Sequence, residues 1–281
     1  MTAHQLVAKA RNLPQISEAA LKLIEMLGHP ETDAKEIVHQ LTTDSLLTAK
    51  LLRACNSPAM GLQEKVTSVH QAVILLGYDQ IHSLVLSLAF GAALAVPLPS
   101  YAMKANDLRR HALKVGAAAE ALIRAGVVSE GEPAMAFTIG LLHDIGKLLM
   151  VQSLPPEAHL AINQHINAEG LGTIEAEREV LGTDHAEVGS CLLYLWRLPD
   201  VIVEAVANHH RPVPGAYGRL SGIAHLANRL AHLADGQTEG YAFQPQEAMV
   251  QAYEFPPEEQ ARLVQAVQAS ETRVRGLMAV A

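Results

Sequence analysis

Apolar positions recur along this chain at helical spacing, and the breaks between the runs carry helix caps and stops. Ile16, Ala20, Leu23 and Leu27 share one face of a stretch that follows Leu13-Pro14 and closes at Gly28. Asp33 with Glu36 has the spacing of an N-cap and its third helical residue, opening a helix that carries Ile37, Val38 and Leu41. Asp44 caps a third helix, Ser45 to Cys55, which ends at Asn56-Ser57-Pro58. Ser68 and Gln71 make a capping-box pattern, Gly77 stops that helix, and Asp79 opens a long apolar helix through Ala95.

Pro97-Leu98-Pro99 then separates this half from a second. Asn106 or Asp107 caps a helix through Ala125, and Pro133 sits in the first turn of an apolar helix running into His143. Pro155-Pro156 to Gly170 is amphipathic, with His159 and His165 read as surface. Thr173 to Leu181 carries Glu175, Glu177 and Glu179, read as a solvated face. Asp184 and Glu187 form a cap pair, which puts His185 in the first turn of a helix ending near Trp196. Leu198-Pro199-Asp200 opens a helix ending in Asn208-His209-His210-Arg211-Pro212. From Leu220 the pattern is helical again, with the stripe Ile223, Leu226, Ala227 and Leu230, and His225 and His232 read as incidental. Gly236 to Gly240 reads as a loop, and Pro256-Pro257 starts a final charged helix. The expectation is an all-α protein.

Composition agrees and narrows the function classes. At 281 residues, 49% hydrophobic and 18% charged, the chain can bury a proper core as one large or two small domains. Aromatics are only 4%, which with abundant Ala and Leu favours helix over sheet. A net charge of −8 argues against a broad phosphate-backbone surface, and Arg109-Arg110 is too small to make one. A helix-turn-helix reading of the first half would offer base edges only His70 and Gln71, so nucleic acid is not an expected partner. Cys55 and Cys191 give no disulfide framework and fit a reducing cytosol. The start, Met1 to Asn12, does not read as a signal peptide. The run Leu84 to Leu98 is shorter than the ~20 residues of a membrane span and reads as a core helix. A cytoplasmic protein without a membrane partner is expected.

Candidate chemistry centres on Gly140-Leu141-Leu142-His143-Asp144-Ile145-Gly146-Lys147, flanked on both sides by apolar residues. An imidazole and a carboxylate at core positions cost several kcal/mol if unpaired. A divalent metal satisfies both, since imidazole and carboxylate are ordinary ligands of Zn, Fe or Mn; a local hydrogen bond is the alternative. There are 14 histidines, and they signify metal chemistry only if some converge. His111 reads alone as surface or a satisfied core side chain. His185 lies near a helix N-terminus, which does not favour its protonated form and is compatible with the neutral ligating one. His209-His210 can cap a helix dipole or ligate.

The stretch His143-Asp144-Ile145-Gly146-Lys147 resembles the HD motif of the HD superfamily of metal-dependent phosphohydrolases. Leu13-Pro14, Asp44 through Arg53, Asn56-Ser57 and Val69 through Gly77 are similar to the first half of the HDOD domain, a helical relative usually found in bacterial signalling. The resemblance covers residues 13–212, with 13–98 as an N-terminal helical half and 99–212 as an HD-like half. Residues 213–281 form a C-terminal helical extension completing the latter. It implies an HD-superfamily-like multi-helix domain with an N-terminal helical subdomain. It also implies that His111, His143, Asp144 and a further acidic residue hold one divalent metal (Fe, Mn, Zn or Mg), while Asp144 bridges to a second held by His185, His209 and His210. Lys147 resembles the phosphate-contacting lysine of HD hydrolases, with a salt bridge as the alternative; it would share a face with His143 if the helix continued past Gly146.

Two departures bear on function. The closing aspartate of the pattern is replaced by Asn228, whose amide oxygen can ligate but carries no charge; the expectation is one metal rather than two, with no metal as the alternative. After His209-His210 the chain runs Arg211-Pro212-Val213-Pro214-Gly215-Ala216-Tyr217, without the Gly-Tyr-Pro signature of the cyclic di-GMP phosphodiesterase branch. Two readings follow from the resemblance. One is a regulatory signalling protein that binds protein partners and retains the metal-site constellation. The other is a metal-dependent phosphohydrolase, with Asp144 and Lys147 as catalytic residues, acting on a nucleotide or another small phosphate ester.

Overall fold

A computed structural model describes residues 1–10, 16–26, 34–126, 133–212, 218–235 and 257–280. These residues form helices and turns, with a lone antiparallel bridge between Leu98 and Met103 and no β-strand among them. Five helices make the first part: α1 (Ala3–Lys9), α2 (Glu18–Met26), α3 (Ala34–Thr42), α4 (Ser45–Cys55) and α5 (Val69–Leu76). The long α6 (Tyr78–Phe90) follows, then 3-10 turns at Ala93–Ala95 and Pro99–Tyr101. The second part holds α7 (Asp107–Arg124), α8 (Pro133–Leu142), α9 (Ile145–Ser153), α10 (Pro156–Asn167), α11 (Thr173–Leu181), α12 (His185–Leu195), α13 (Asp200–Ala207) and α14 (Gly218–Ala234). Two more close the chain: α15 (Pro257–Ala269) and α16 (Glu271–Val280). The extension therefore ends in two helices where one was expected. Leu13-Pro14, Leu27-Gly28, the Asp33 cap, Val213 to Tyr217 and the Gly236–Gly240 loop lie outside the described residues.

Caps explain several helix starts. Asp44 Oδ1 accepts from Leu47 N at 2.9 Å and Asp184 Oδ1 from Glu187 N at 2.9 Å. Ser68 accepts from Gln71 N at 3.1 Å, but the Gln71 side chain reaches Thr67 N at 2.9 Å, so the capping box is only half formed. Gly77 both ends α5 and precedes α6, with a φ of 78° that a side chain would resist. Helix α6 thus starts before Asp79 and stops at Phe90, short of Ala95.

The core is continuous from α2 through α8 to α13, with Phe90 and Phe137 among its largest fully buried side chains. The run Pro133–Ser153, spanning α8 and α9, is long and apolar enough by composition to cross a membrane, yet 83% of its apolar window is buried inside the protein. It is the central layer of the fold. Two close helix approaches fix it there. A Cβ on Gly140 of α8 would lie 2.7 Å from Gly116 Cα of α7. A Cβ on Gly146 of α9 would lie 2.6 Å from Gly189 N of α12. Backbones this close leave no room for a side chain, and they draw His111, His143 and His185 toward one point.

The C-terminal helices are fastened to α7 from the other side. Lys114 is buried and pairs with Asp235 and, at 3.2 Å, with Glu271. Arg109, far from forming a basic surface with Arg110, is 6% exposed and donates to the carbonyls of Leu277 at 3.1 Å and Met278 at 3.0 Å. Those carbonyls lie in the last turn of α16, where the guanidinium acts as their cap.

Candidate metal centre

The helix expected to run through His143 to Lys147 breaks there. Helix α8 ends at Leu142, His143 and Asp144 form the turn, and α9 restarts at Ile145. The Asp144 side chain makes no cap bond to α9, which leaves its carboxylate pointed into the protein, 2% exposed. Its two oxygens face different partners. Oδ2 lies 3.3 Å from His143 Nε2 and 3.7 Å from His111 Nε2, and accepts from Lys147 Nζ at 2.7 Å. Oδ1 lies 3.1 Å from His185 Nε2 and 3.9 Å from His209 Nε2. His210 Nε2 is 3.0 Å from His185 Nε2.

The expected residues thus converge, from α7, the α8–α9 turn, the start of α12 and the turn after α13. His209 and His210 follow that last helix and do not belong to it. Two potential ligand sets result, His111/His143/Asp144 and Asp144/His185/His209/His210, each with its donor atoms within 4.8 Å of one another. Donors ~2.1 Å from one ion in tetrahedral array stand about 3.4 Å apart. The His–Asp144 separations of 3.1 to 3.9 Å bracket that figure.

Burial makes the cluster costly in isolation. His143 Nε2, Asp144 Oδ1 and His209 Nε2 are buried and have no hydrogen-bond partner among the described residues, and neither has Asn228 Oδ1 on α14. Each such group forfeits its hydration, at roughly 1–3 kcal/mol. Their opposite edges are well held: His143 Nδ1 donates to Gly140 O at 2.7 Å and His209 Nδ1 to Val206 O at 2.7 Å. With Nδ1 engaged on a carbonyl, Nε2 is the nitrogen that each ring turns toward Asp144.

Electrostatics split the histidines. Burial, reinforced by neighbouring histidines, holds His111, His209 and His210 well below the ordinary imidazole value. Asp144 is held well below the usual carboxylate range, burial being overcome by His143 and Lys147. His185 goes the other way: burial would lower it, but Glu177 and Asp144 raise it to about 9. The helix N-terminus was expected to leave this ring neutral, and two flanking carboxylates outweigh it. An incoming cation would take the place of that proton.

Four residues of the site escaped the sequence reading. Glu177 is fully buried, where a solvated face was expected, and accepts from His185 N and Nδ1, both at 2.8 Å, and from Tyr101 Oη at 2.7 Å. Tyr101 also presents its ring 5.4 Å from Lys147 Nζ. His225 is 6% exposed and its Nδ1 donates to His209 O at 2.8 Å. The His232 ring lies 4.8 Å from that of His111, as close as neighbouring rings within the cluster. Neither is incidental. His225, Asn228 and His232 follow one face of α14, so Asn228, 4% exposed, lies between two residues that border the site. His159, expected at the surface, is half-buried and sits 2.6 Å from Ser100 Oγ through its Nδ1.

Comparison with known proteins gives a consistent result. The HDOD domain family model matches residues 13–212. An uncharacterized protein of Treponema pallidum (strain Nichols) is 24% identical over 236 residues, 81% of this chain and 44% of its own length. The chain therefore spans less than half of that relative. Among solved structures, a candidate signal transduction protein of Marinobacter aquaeolei VT8 superposes with a TM-score of 0.80 at 20% identity, covering 99% of this chain and 64% of that one. An HDOD domain protein of unknown function from Geobacter sulfurreducens gives 0.74 at 21% identity, covering 97% and 94%. A candidate phosphohydrolase from Shewanella amazonensis SB2B gives 0.70 at 23% identity, covering 98% and 97%. At these identities the likeness establishes the helical fold.

Proposed function

The chain belongs to the HDOD domain family, and from that premise we propose that it is a signalling protein whose helical domain holds a divalent cation around Asp144 and acts through protein partners. The observation that carries the metal site is the meeting of two ligand sets at Asp144, in which His143 Nε2, Asp144 Oδ1 and His209 Nε2 are buried and partnerless among the described residues; Asn228 Oδ1, also buried and partnerless, joins them by its place on the face of α14 that borders the site. A cation is the one ligand that uses a carboxylate oxygen, an amide oxygen and two imidazole lone pairs together. His185, His209, His210 and Asp144 hold it; His111, His143, Asp144 and Asn228 form a poorer second position, because Asn228 brings no charge. Imidazole-rich donors favour Zn, Fe or Mn over Mg, which prefers oxygen ligands and water.

The signalling role rests on the family and on the candidate signal transduction protein that shares the fold. It also rests on the charge deficit at Asn228, which works against a pair of ions. A second reading, hydrolysis of a nucleotide or small phosphate ester, is favoured by the way two ligand sets share Asp144. A bound ion would supply Lewis-acid charge to a phosphoryl group. In that reading Lys147, 14% exposed, leaves its 2.7 Å bond to Asp144 to bind a phosphate oxygen.

Metal analysis of protein purified without chelator, followed by turnover assays on aryl phosphates, nucleotides and cyclic dinucleotides, separates these outcomes. The proposal expects co-purified metal and no metal-dependent turnover. Turnover restored by Mn or Fe and lost in Asp144→Ala selects the hydrolase. Wild-type protein that takes up no Zn, Fe or Mn overturns the metal site altogether.

A further inference from the structure

We propose that Glu177, braced by Tyr101, is a positioning residue that turns the His185 ring toward Asp144 and adds negative charge behind the Asp144/His185/His209/His210 set. The inference rests on the metal-binding reading and assigns a role to a residue outside the ligand sets.

The geometry is specific. The Glu177 carboxylate is fully buried and takes three donors: the His185 backbone N–H, the His185 Nδ1–H and the Tyr101 hydroxyl, at 2.8, 2.8 and 2.7 Å. With Nδ1 committed to Glu177, Nε2 is the nitrogen left facing Asp144 Oδ1 at 3.1 Å. His143 and His209 are oriented by neutral carbonyls, Gly140 O and Val206 O. His185 is oriented by an anion, which makes its ring the better electron donor to a cation.

The charge matters because of where the site is poor. Asp144 is the sole carboxylate in either ligand set. A divalent ion there keeps an uncompensated positive charge in a buried setting, where compensation counts most. Glu177 stands one imidazole away from the ion position, on the His185 side. It therefore strengthens the Asp144/His185/His209/His210 set and leaves the His111/His143 set without equivalent help.

Tyr101 keeps that carboxylate in place. It lies on the turn Pro99–Tyr101, whose Ser100 is fastened to His159 of α10 at 2.6 Å. Its hydroxyl holds Glu177 Oε1, while its ring faces Lys147. One side chain from the junction between the two helical halves thus touches the supports of both His185 and Asp144.

A merely structural Glu177 would only tie α11 to the start of α12 through the His185 N–H. Glu177→Gln separates the two roles, since it keeps an acceptor for that N–H and removes the charge. The probe is Co2+, added to chelator-stripped protein, with affinity from competition against a chelator and ligand geometry from the visible absorption spectrum. Glu177→Gln is expected to bind Co2+ about 10- to 100-fold more weakly, with an altered spectrum, while its melting temperature in EDTA stays near that of the wild type. Tyr101→Phe is expected to weaken binding in the same direction by a smaller factor. If wild type binds Co2+ and Glu177→Gln matches its affinity, the positioning role is wrong and the metal site stands. If wild type binds no Co2+, the metal reading fails and this role falls with it. Should Glu177→Gln not fold, Tyr101→Phe decides: unchanged affinity overturns the brace, and weakened affinity supports it.

Discussion

Gly146→Ala tests whether the α9–α12 contact sets the geometry of the site. A first-turn helical position such as Gly146 accepts alanine on intrinsic grounds, and propensity alone favours it over glycine by up to ~1 kcal/mol. Sterically the new Cβ would lie 2.6 Å from Gly189 N and 2.9 Å from His185 C, and closer still to the His185 carbonyl oxygen. All three atoms are backbone, so no side chain can rotate away, and the helices must part by at least about 1 Å to relieve the contact. Overpacking of this kind costs roughly 1–3 kcal/mol and occasionally more, so the sign predicted by propensity is reversed. The displaced helix carries His185 at its first position, opposite Asp144, two residues before Gly146. A shift of about 1 Å is several times the ~0.2 Å tolerance of a ligand shell. Urea unfolding of the metal-free proteins should show a midpoint lowered by about 0.3–1 M, taking m near 3 kcal/mol/M, and metal binding should weaken at least tenfold. Gly189→Ala is the comparison, because its nearest contacts are 3.2 Å and 3.4 Å, and it should perturb midpoint and metal affinity much less than Gly146→Ala. A Gly146→Ala protein with wild-type midpoint and metal affinity would refute the close-approach argument.

Asn228→Asp should raise metal occupancy by adding charge at the poorer position; unchanged occupancy in a folded variant counts against Asn228 as a ligand. Metal removal should lower stability: an ion present at 100 times its dissociation constant adds ~2.7 kcal/mol, so EDTA should depress the melting temperature of wild type but not of Asp144→Ala. His82 is fully buried, neither of its ring nitrogens has a partner among the described residues, and burial lowers it from 6.5 to about 3. As pH falls below 6.5 only the unfolded chain takes up this proton, so stability should drop by ~1.4 kcal/mol per pH unit toward pH 3. His82→Leu should flatten that acid limb, and parallel wild-type and variant curves would contradict the assignment.

The helical architecture was legible because its signals are local. Apolar periodicity and caps such as Asp44 and Asp184 need only the neighbouring residues to be interpreted. Errors fell where a cap admits two partners or where a helix stops for tertiary reasons. Gln71 had Thr67 and Ser68 equally in reach, and α6 gives way at Gly91 although the apolar run continues. The break at His143-Asp144 is of the second kind. Asp144 stands at the N-cap position of α9 but makes no cap bond there, and the close approach of Gly146 to α12 is invisible without the partner helix.

The site was legible to the extent that its residues are unusual in an apolar context, as His143-Asp144 is. Its supports were harder to see because each resembles an ordinary surface residue. Glu177, between Glu175 and Glu179, suggested alternation with solvent. Yet Ile174, Glu177 and Leu181 stand at helical spacing, and all three are buried. The helical period therefore put this carboxylate on the core face, against the other two, and a charge on a core face requires a partner as surely as His143-Asp144 did. The same reasoning covers His225 and His232, which flank Asn228 at three and four residues along α14. A buried polar side chain in helical register with apolar neighbours is thus a pointer to a site, even where the residue itself contributes no ligand atom.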